Sequence, residues 1–296
     1  MTQATLDARA NFYPDTTGMR LLRLSFATIQ KLWPALAVRA AYRLFGTPLP
    51  PKWAARRHAW RAEWQPDSLP FEDASITLHT RPDFANAHAP MVVLVHGWGG
   101  HAGQMLALAN AVAAQGWQPV LAEMPAHGQS EGRVSNLPQF ARAIDYLHAR
   151  LREQGHTVHA VVAHSMGANA SAFAVSRGLP VERLVLIAPP ASALEFTRLF
   201  GRVFGLSEAT RAAMQRRVET REGVLMSQLE PPAVGPRIHV PTLVVHDRGD
   251  RVNAFADGQA YQATIRGARL VDTQGLGHRK LLKDTDVLRA VVDFLR

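Results

Sequence analysis

From Met91 to the end of the chain, short apolar runs alternate with helix-like patterns, and this alternation strongly constrains the fold. The runs predicted to be strands are Met91–Val95, Gln118–Ala122, Val158–Val162, Arg183–Ile187, Thr242–Val245 and Arg269–Asp272. The segments with the apolar spacing of helices are Met105–Ala114, Leu137–Arg152, Gly167–Arg177 and Asp284–Leu295. Continuous apolar strands are buried on both faces, so the pattern predicts an α/β fold with a mostly parallel sheet flanked by helices.

The alternation is interrupted once, by about fifty residues at Pro189–Arg237. Helical signals, among them Ser207 as an N-cap, and large apolar residues such as Phe196 and Phe200 indicate a helical insertion. A structured excursion of this size often forms a lid over a site. The alternative is an ordinary helical elaboration that packs on the domain.

The positive charge of the chain is confined to its N-terminal part. The net charge is +9, yet residues 20–61 hold nine Lys and Arg residues and no Asp or Glu, so the remainder is balanced. Residues 20–45 predict one or two amphipathic helices interrupted at Pro34. The two predicted faces are Arg20, Arg23 and Lys31 on one side and Leu22, Phe26, Ile29 and Trp33 on the other.

Two interpretations of this basic segment remain open. It packs on the rest of the protein as a helical arm, or residues 20–61 contact an anionic membrane surface peripherally. No nucleic-acid partner is predicted, because nothing in the segment resembles a known nucleic-acid-binding module. We divide the chain into an arm and linker, 1–73, and an α/β domain, 74–296, that begins with the strand-like Ala74–Thr80 and contains the insertion 189–237.

Targeting signals are not evident in the sequence. No uncharged apolar run approaches the ~18 residues that a membrane span needs. Met1–Met19 lacks the charged start, apolar stretch and cleavage site of a signal peptide. We therefore expect a cytoplasmic protein that contacts the membrane at most peripherally. The chain has no cysteine, which excludes disulfides, Cys-ligated zinc, iron–sulfur clusters and thiol catalysis.

A candidate nucleophile follows the third strand of this series. Val158–Val162 runs into Ala163-His164-Ser165-Met166-Gly167 and then into a helix. The five residues nearly match G-x-S-x-G, in which a sharp strand-to-helix turn exposes the serine, with Ala163 in place of the first glycine. The alternative for Ser165 is a helix cap.

A serine nucleophile needs a base and an orienting acid, and both candidates lie after later strands. His278 follows the strand that ends near Asp272, in a glycine-flanked loop. Asp250 and Asp247 both follow the strand that ends at Val245, and Asp250 lies deeper in that loop. We predict Ser165, His278 and Asp250 as the catalytic residues, with Asp247 as the alternative acid. No metal or organic cofactor is implied.

Acyl transfer also needs hydrogen-bond donors for the oxyanion. The first strand–helix loop, His96-Gly97-Trp98-Gly99-Gly100, and the turn after Ser165 predict the backbone N–H groups of Trp98 and Met166 as these donors. The residues that we predict to line a substrate pocket are His96, Trp98, His164, Phe196 and Phe200. The Trp98 ring either lines the pocket or simply packs.

Together these residues resemble the α/β-hydrolase fold superfamily, in particular its serine hydrolases, the esterases and serine-aminopeptidase-like enzymes. The resemblance covers about Ala74–Arg296 and rests on His96-Gly97, Ala126-His127-Gly128-Gln129-Ser130, the Ser165 turn, Asp250 and His278. It implies Ser165 as nucleophile, His278 as base, Asp250 as acid, and cleavage of an ester-like carbonyl of a small molecule through an acyl-enzyme. The same triad would also serve amide, thioester or carbon–carbon bond hydrolysis.

Two other functions remain as alternatives. Gly97-Trp98-Gly99-Gly100-His101-Ala102 fits the dinucleotide-binding pattern G-x-G-x-x-G/A, with Glu123 at the end of the next strand. That pattern would predict an oxidoreductase, but it leaves Ser165, Asp250 and His278 without a role. The other alternative is a non-catalytic binding protein with the same fold.

Overall fold

The computed structural model describes residues 16–49, 58–82, 84 and 89–296 of the chain. Its α-helices are α1 Thr17–Leu32, α2 Pro34–Phe45, α3 Leu106–Ala113, α4 Leu137–Glu153, α5 Met166–Ser176, α6 Ala193–Phe204, α7 Glu208–Glu222, α8 Pro231–Val234, α9 Phe255–Thr264, α10 Gly277–Lys280 and α11 Thr285–Leu295. Its strands are β1 Gln65–Phe71, β2 Ala74–Thr80, β3 Met91–Val95, β4 Gln118–Glu123, β5 Val158–His164, β6 Arg183–Ile187, β7 Thr242–Asp247 and β8 Arg269–Thr273. One short 3-10 turn precedes α3, and three others follow α7, α8 and α10.

The eight strands form one sheet in the order β1-β2-β4-β3-β5-β6-β7-β8. Strands β3 to β8 pair in parallel, and only β1 and β2 run antiparallel to their neighbours. Strands β3, β4 and β7 are buried along their whole length, as their continuous apolar sequence requires. The predicted fold class is thereby confirmed.

Contacts divide the chain into two compact units. The first unites residues up to Thr47 with Ser192–Glu230, and the second unites Pro48–Ala191 with Pro231–Arg296. The second unit holds the whole sheet. Its core packs the apolar faces of α3 and α11 on the strands, with Val92, Leu94 and Val245 fully buried among them.

The first unit is a helical cluster built from two distant parts of the chain. Phe26 of α1 and Ala41 of α2 are buried against Leu199 and Phe204 of α6 and Met214 of α7. Ser192 and Ser207 cap α6 and α7 by accepting hydrogen bonds from Glu195 N and Thr210 N. The predicted insertion is therefore helical, and it shares a core with the N-terminal helices. Its role as a lid stays a prediction.

The structure corrects the predicted boundary at residue 74. Strand β1 pairs with β2 from Gln65↔Thr80 to Phe71↔Ala74, so the sheet begins nine residues before the predicted start. Pro66 and Pro70 made this segment unlike a strand, because proline cannot donate to a sheet ladder. An edge strand tolerates proline, and β1 lies at the edge of the sheet.

Two predictions about the faces of the N-terminal helices are wrong. Trp33 is 58% exposed rather than buried with Phe26, because α1 ends at Leu32 and Trp33 has non-helical angles, φ −140° and ψ 70°. Arg23 is partly buried, and its Nε donates to Val203 O over 2.7 Å. The break at Pro34 is confirmed, since it begins α2.

Part of the basic segment lies outside the described residues, namely Lys52, Arg56 and Arg57, as do residues 1–15. Among the helices that the structure describes, none combines the length and the apolar character needed to cross a membrane.

Candidate active site

Ser165 lies in a sharp turn between β5 and α5. Its backbone has φ 54° and ψ −126°, and among the described residues only three other non-glycine residues have a positive φ. Two backbone hydrogen bonds stabilise the turn. Ser165 N donates to Ile187 O over 2.8 Å, and Ser165 O accepts from Ala168 N over 2.9 Å. A non-glycine residue with positive φ is strained and persists where the surroundings enforce it.

Two glycines allow the chain to come this close to Ser165. A Cβ on Gly167 would lie 2.3 Å from His96 O, and a Cβ on Gly97 would lie 2.8 Å from Ser165 Cβ. Ala163, which replaces the first glycine of the pattern, is fully buried in β5 without disturbing the sheet pairing. The loop after β3 and the Ser165 turn are therefore packed backbone to backbone.

Ser165, His278 and Asp250 are hydrogen-bonded in series. His278 Nε2 lies 3.0 Å from Ser165 Oγ, and His278 Nδ1 lies 2.7 Å from Asp250 Oδ2. A carboxylate only accepts hydrogen bonds, so Nδ1 carries the proton and the Nε2 lone pair faces the serine hydroxyl. The arrangement can therefore remove a proton from Ser165.

Asp250 is held as a carboxylate. Burial by itself raises its pKa, but the nearby His246 imidazole and the hydrogen bond with His278 outweigh burial and hold the pKa well below the usual range of aspartate. Its other oxygen, Oδ1, accepts from Val252 N over 2.7 Å and from Asn253 N over 3.0 Å. The side chain is completely buried, so its orientation is fixed.

Asp247, the alternative acid, connects two loops instead. It accepts hydrogen bonds from Gly249 N, Thr273 Oγ1 and Leu276 N over 2.9, 2.8 and 3.0 Å. Burial raises its pKa, and these donors more than compensate, so that the pKa is lowered. Asp247 thus ties the loop that holds Asp250 to the loop that holds His278.

The two backbone groups predicted as oxyanion donors border the same turn. Met166 is the first residue of α5 after Ser165, and Trp98 follows Gly97, whose Cα packs against Ser165. Among the described residues, neither N–H group donates to a protein acceptor. The Trp98 ring packs edge-to-face on His127 with ring centroids 5.0 Å apart.

The structure corrects the pocket prediction for His96 and His164. His96 is fully buried, and its Nε2 accepts from Met124 N over 3.1 Å. His164 is 4% exposed, and its Nε2 donates to the backbone oxygen of His278 over 2.9 Å. Burial lowers the pKa of His96 to about 4 and that of His164 to about 3, so both rings are neutral supports.

Phe196 and Phe200 lie in the first unit. Both pack there against its apolar cluster, and the Phe200 ring meets the Phe45 ring edge-on with centroids 5.2 Å apart. Their sequence signal, large apolar residues in a helical insertion, is explained by this packing. A role in substrate binding stays a prediction.

Glu123 anchors the loop after β3, a role the sequence did not reveal. Its carboxylate accepts from Ala102 N and Gln129 N, and its Oε2 lies 3.6 Å from His79 Nε2. Burial raises the pKa of Glu123, but the nearby His79 imidazole and the hydrogen bond from Gln129 N leave it lowered. A Cβ on Gly128 would fall about 2.2 Å from this carboxylate, which explains the glycine.

The dinucleotide interpretation fails on this geometry. Glu123 is 2% exposed, and its oxygens already accept two backbone amides, so it cannot bind a ribose hydroxyl. The strand order also differs from the 3-2-1-4-5-6 order of dinucleotide-binding folds.

Asn253 and His246 are further groups that sequence reasoning missed. Asn253 is fully buried; its Nδ2 donates to Ala188 O over 2.7 Å and lies 3.4 Å from Ser165 Oγ. His246 Nε2 donates to Asn253 O over 3.2 Å and lies 3.6 Å from Asp250 Oδ2. Ala188 and Ser165 lie 65 and 88 positions from Asn253, so only its position three residues after Asp250 could have suggested Asn253.

Clusters of His, Asp and Glu side chains are what a metal ion would need for binding. Across residues 16–49, 58–82, 84 and 89–296, no group of three or more His, Asp or Glu side chains is arranged to hold a metal ion.

Comparison with known proteins finds similarity to hydrolases. The family model described as serine aminopeptidase, S33, matches residues 86–228, slightly less than half of the chain. The match includes the Ser165 turn and ends before Asp250 and His278. A search of curated protein sequences found no significant match.

Solved structures match over much more of the chain. Est1E from Butyrivibrio proteoclasticus, with ferulic acid bound, is 18% identical with a TM-score of 0.64, and the match covers 77% of this chain and 97% of Est1E. The thioesterase domain from the curacin biosynthetic pathway is 22% identical with a TM-score of 0.56, covering 78% and 99%. A bacterial membrane phospholipase A is 17% identical with a TM-score of 0.58, covering 94% and 96%.

The sheet order, the strand-to-helix turn at Ser165 and these structural neighbours agree. The chain has the α/β-hydrolase fold.

Proposed function

We propose that the protein is a serine hydrolase that cleaves carboxylic esters through an acyl-enzyme. The observation that carries the proposal is the hydrogen-bonded series Ser165–His278–Asp250 at the carboxyl ends of β5, β7 and β8. In parallel α/β sheets, this edge is where reacting groups gather. The esterase and thioesterase neighbours support the same class of reaction.

In the first half-reaction, Ser165 Oγ attacks the ester carbonyl carbon while His278 Nε2 accepts its proton. The N–H groups of Trp98 and Met166 donate to the oxygen that becomes negatively charged. His278 then gives the proton to the departing alkoxide, and the acyl group remains on Ser165. Asp250 holds His278 in the reactive tautomer and stabilises the imidazolium.

In the second half-reaction, water attacks the acyl-enzyme after giving a proton to His278. Collapse of the second tetrahedral intermediate breaks the bond to Ser165 Oγ, which regains its proton from His278. The product acid leaves, and the resting arrangement is restored. No step needs a metal or organic cofactor.

The experiment that tests the proposal is covalent labelling with a fluorophosphonate, which loses fluoride when an activated serine attacks phosphorus. We expect the native chain to be labelled and Ser165→Ala not to be. Ser176→Ala in the same helix α5 is the matched control, since Ser176 Oγ only donates to Phe173 O. Folded native protein that remains unlabelled would favour the non-catalytic binding protein.

The choice among ester, thioester, amide and carbon–carbon bonds is tested with substrates. Esters are our first choice because an alkoxide leaves a carbonyl carbon more readily than an amine or a carbanion does. A series of p-nitrophenyl esters of increasing acyl length should give turnover that Ser165→Ala lacks. Labelled protein without turnover on any ester would direct attention to amides and carbon–carbon bonds.

A second candidate substrate is a phospholipid ester. The membrane phospholipase A aligns with 94% of this chain, whereas the other two neighbours described above align with 77% and 78%. Release of fatty acid from phosphatidylglycerol micelles, measured against Ser165→Ala, tests this candidate. Ester turnover without fatty-acid release would exclude it.

A further inference from the structure

The outward face of α1 and the start of α2 expose large apolar side chains. Leu21, Leu24 and Leu32 are 59%, 65% and 60% exposed, and Trp33 and Leu36 are 58% and 52% exposed. Among the other described residues, only Leu225, at 54%, is a large apolar side chain exposed to this degree, and Leu49 follows at 44%. The exposure is thus concentrated in sixteen consecutive positions, 21–36, which we call the N-terminal surface.

Packing within the first unit does not use these side chains. Helix α1 contributes Phe26, which is 4% exposed, together with Leu22 on the same side of the helix. At 100° per residue, Leu21, Leu24 and Leu32 lie on the opposite side from Phe26. The helix therefore has one apolar stripe for the core and another that faces outward.

Basic side chains accompany the outward stripe. Lys31 lies beside Leu24 and Leu32 on α1, and Arg39 and Arg43 share the exposed side of α2 with Leu36. No Asp or Glu occurs anywhere from residue 20 to residue 61. The exposed leucine and tryptophan of the N-terminal surface are therefore accompanied by positive charge, from Lys31 within it and from Arg39 and Arg43 beside it. No Asp or Glu nearby in the sequence offsets this charge.

This combination selects among possible partners. Nucleic acid would be attracted by the bases but would gain nothing from exposed leucines. A second copy of the chain would bring two positive surfaces together. An anionic bilayer matches both properties, because leucine and tryptophan enter the boundary below the headgroups while Lys and Arg remain at the phosphates.

We propose that the N-terminal surface binds anionic phospholipid bilayers peripherally, with α1 and the start of α2 lying in the plane of the headgroups. The binding does not depend on catalysis. If the chain did not bind bilayers, the proposed hydrolase activity could still be correct. If the chain had no hydrolase activity, it could still bind bilayers.

The test is co-sedimentation of the full-length chain with vesicles, in a Ser165→Ala background so that no lipid is hydrolysed. The two vesicle compositions are phosphatidylcholine alone and phosphatidylcholine with phosphatidylglycerol. We expect binding to the anionic vesicles that weakens as salt is raised. Absence of binding to anionic vesicles at low salt would overturn the proposal.

Two groups of variants show which residues bind. Leu24→Gln should lower the partition coefficient roughly tenfold, since it withdraws an apolar side chain from the boundary. Arg39→Gln and Arg43→Gln should each lower it about fivefold on anionic vesicles. Leu225→Gln and Arg266→Gln are the controls, because Leu225 is 54% exposed and Arg266 is exposed, and both lie outside the N-terminal surface.

Insertion depth gives a second readout. Brominated phosphatidylcholine in the anionic vesicles should quench part of the tryptophan fluorescence, and Trp33→Phe should remove that part. Variants that bind as strongly as the native surface would overturn the proposal. So would a dimer that forms without vesicles and is broken by Leu24→Gln, because the surface would then serve a second copy.

Discussion

Replacing His164 with glutamine should make the fold less sensitive to acid. The ring of His164 is buried, its Nε2 donates to His278 O, and its Nδ1 has no protein partner among the described residues. Burial lowers its folded pKa to about 3, against 6.5 for the unfolded chain. Below pH 6.5, His164 is therefore protonated in the unfolded chain but stays neutral in the folded protein. The free energy of unfolding falls as the pH is lowered toward the folded pKa.

The size of this effect follows from the two pKa values. At about pH 5, protonation of His164 in the unfolded chain alone should cost about 2 kcal/mol of folding free energy relative to neutral pH. His96, with a folded pKa of about 4, should cost about the same. Carboxylates contribute little in this range, because unfolded Asp and Glu titrate near about pH 4.

Urea unfolding at about pH 7 and about pH 5 measures the difference directly. His164→Gln keeps a donor for His278 O and removes the titrating group, so its loss of stability between the two pH values should be about 2 kcal/mol smaller than that of the native chain. His239→Gln, at an exposed position, is the control and should keep the native loss. A His164→Gln variant with the full native loss would refute the reasoning, whatever its stability at neutral pH.

Four other substitutions test the site. Asp250→Asn should lower kcat by about 10⁴-fold, whereas Asp247→Asn should cost about 1–3 kcal/mol in urea unfolding and affect kcat much less; equal kcat values would refute this division. Gly97→Ala should lower kcat about tenfold or more, because its Cβ would displace Ser165. We expect its melting temperature to be unchanged and to stay above the assay temperature. Asn253→Ala should lower stability by about 1–3 kcal/mol, since Ala188 O loses its buried donor, and unchanged urea unfolding would show that the bond contributes nothing.

The sheet could be predicted from the sequence wherever strands are buried on both faces. The bounds of β3 and β6 agree with the predicted runs, because a short run of four or five apolar residues is typical of a strand buried on both faces. Strand β1 could not be predicted, since Pro66 and Pro70 are acceptable only at an edge and the sequence does not reveal which strand is the edge. The core that α1 and α6 share likewise could not be predicted, because the two helices lie far apart in the chain.

The candidate site was predictable where a residue follows a strand at the carboxyl edge of the sheet. Ser165, Asp250 and His278 all have this position, and their order along the chain added to the signal. Asn253 and His246 were missed because their importance comes from contacts across 88 and 7 positions that no local pattern encodes. His96 and His164 were assigned to the pocket because a histidine beside a site looks functional in sequence, whereas burial and backbone partners decide its role.

The helical cluster of the first unit has a consequence for the newly made chain. Helices α1 and α2 leave the ribosome before α6 and α7, which complete their core and begin about 150 residues later. At synthesis rates of about 5–20 residues per second, Phe26 and its neighbours wait roughly 9–38 seconds for Phe204 and Met214. During that interval both apolar stripes of α1 are open, and a nascent chain of this protein is most exposed to chaperones, to aggregation and to any nearby lipid surface.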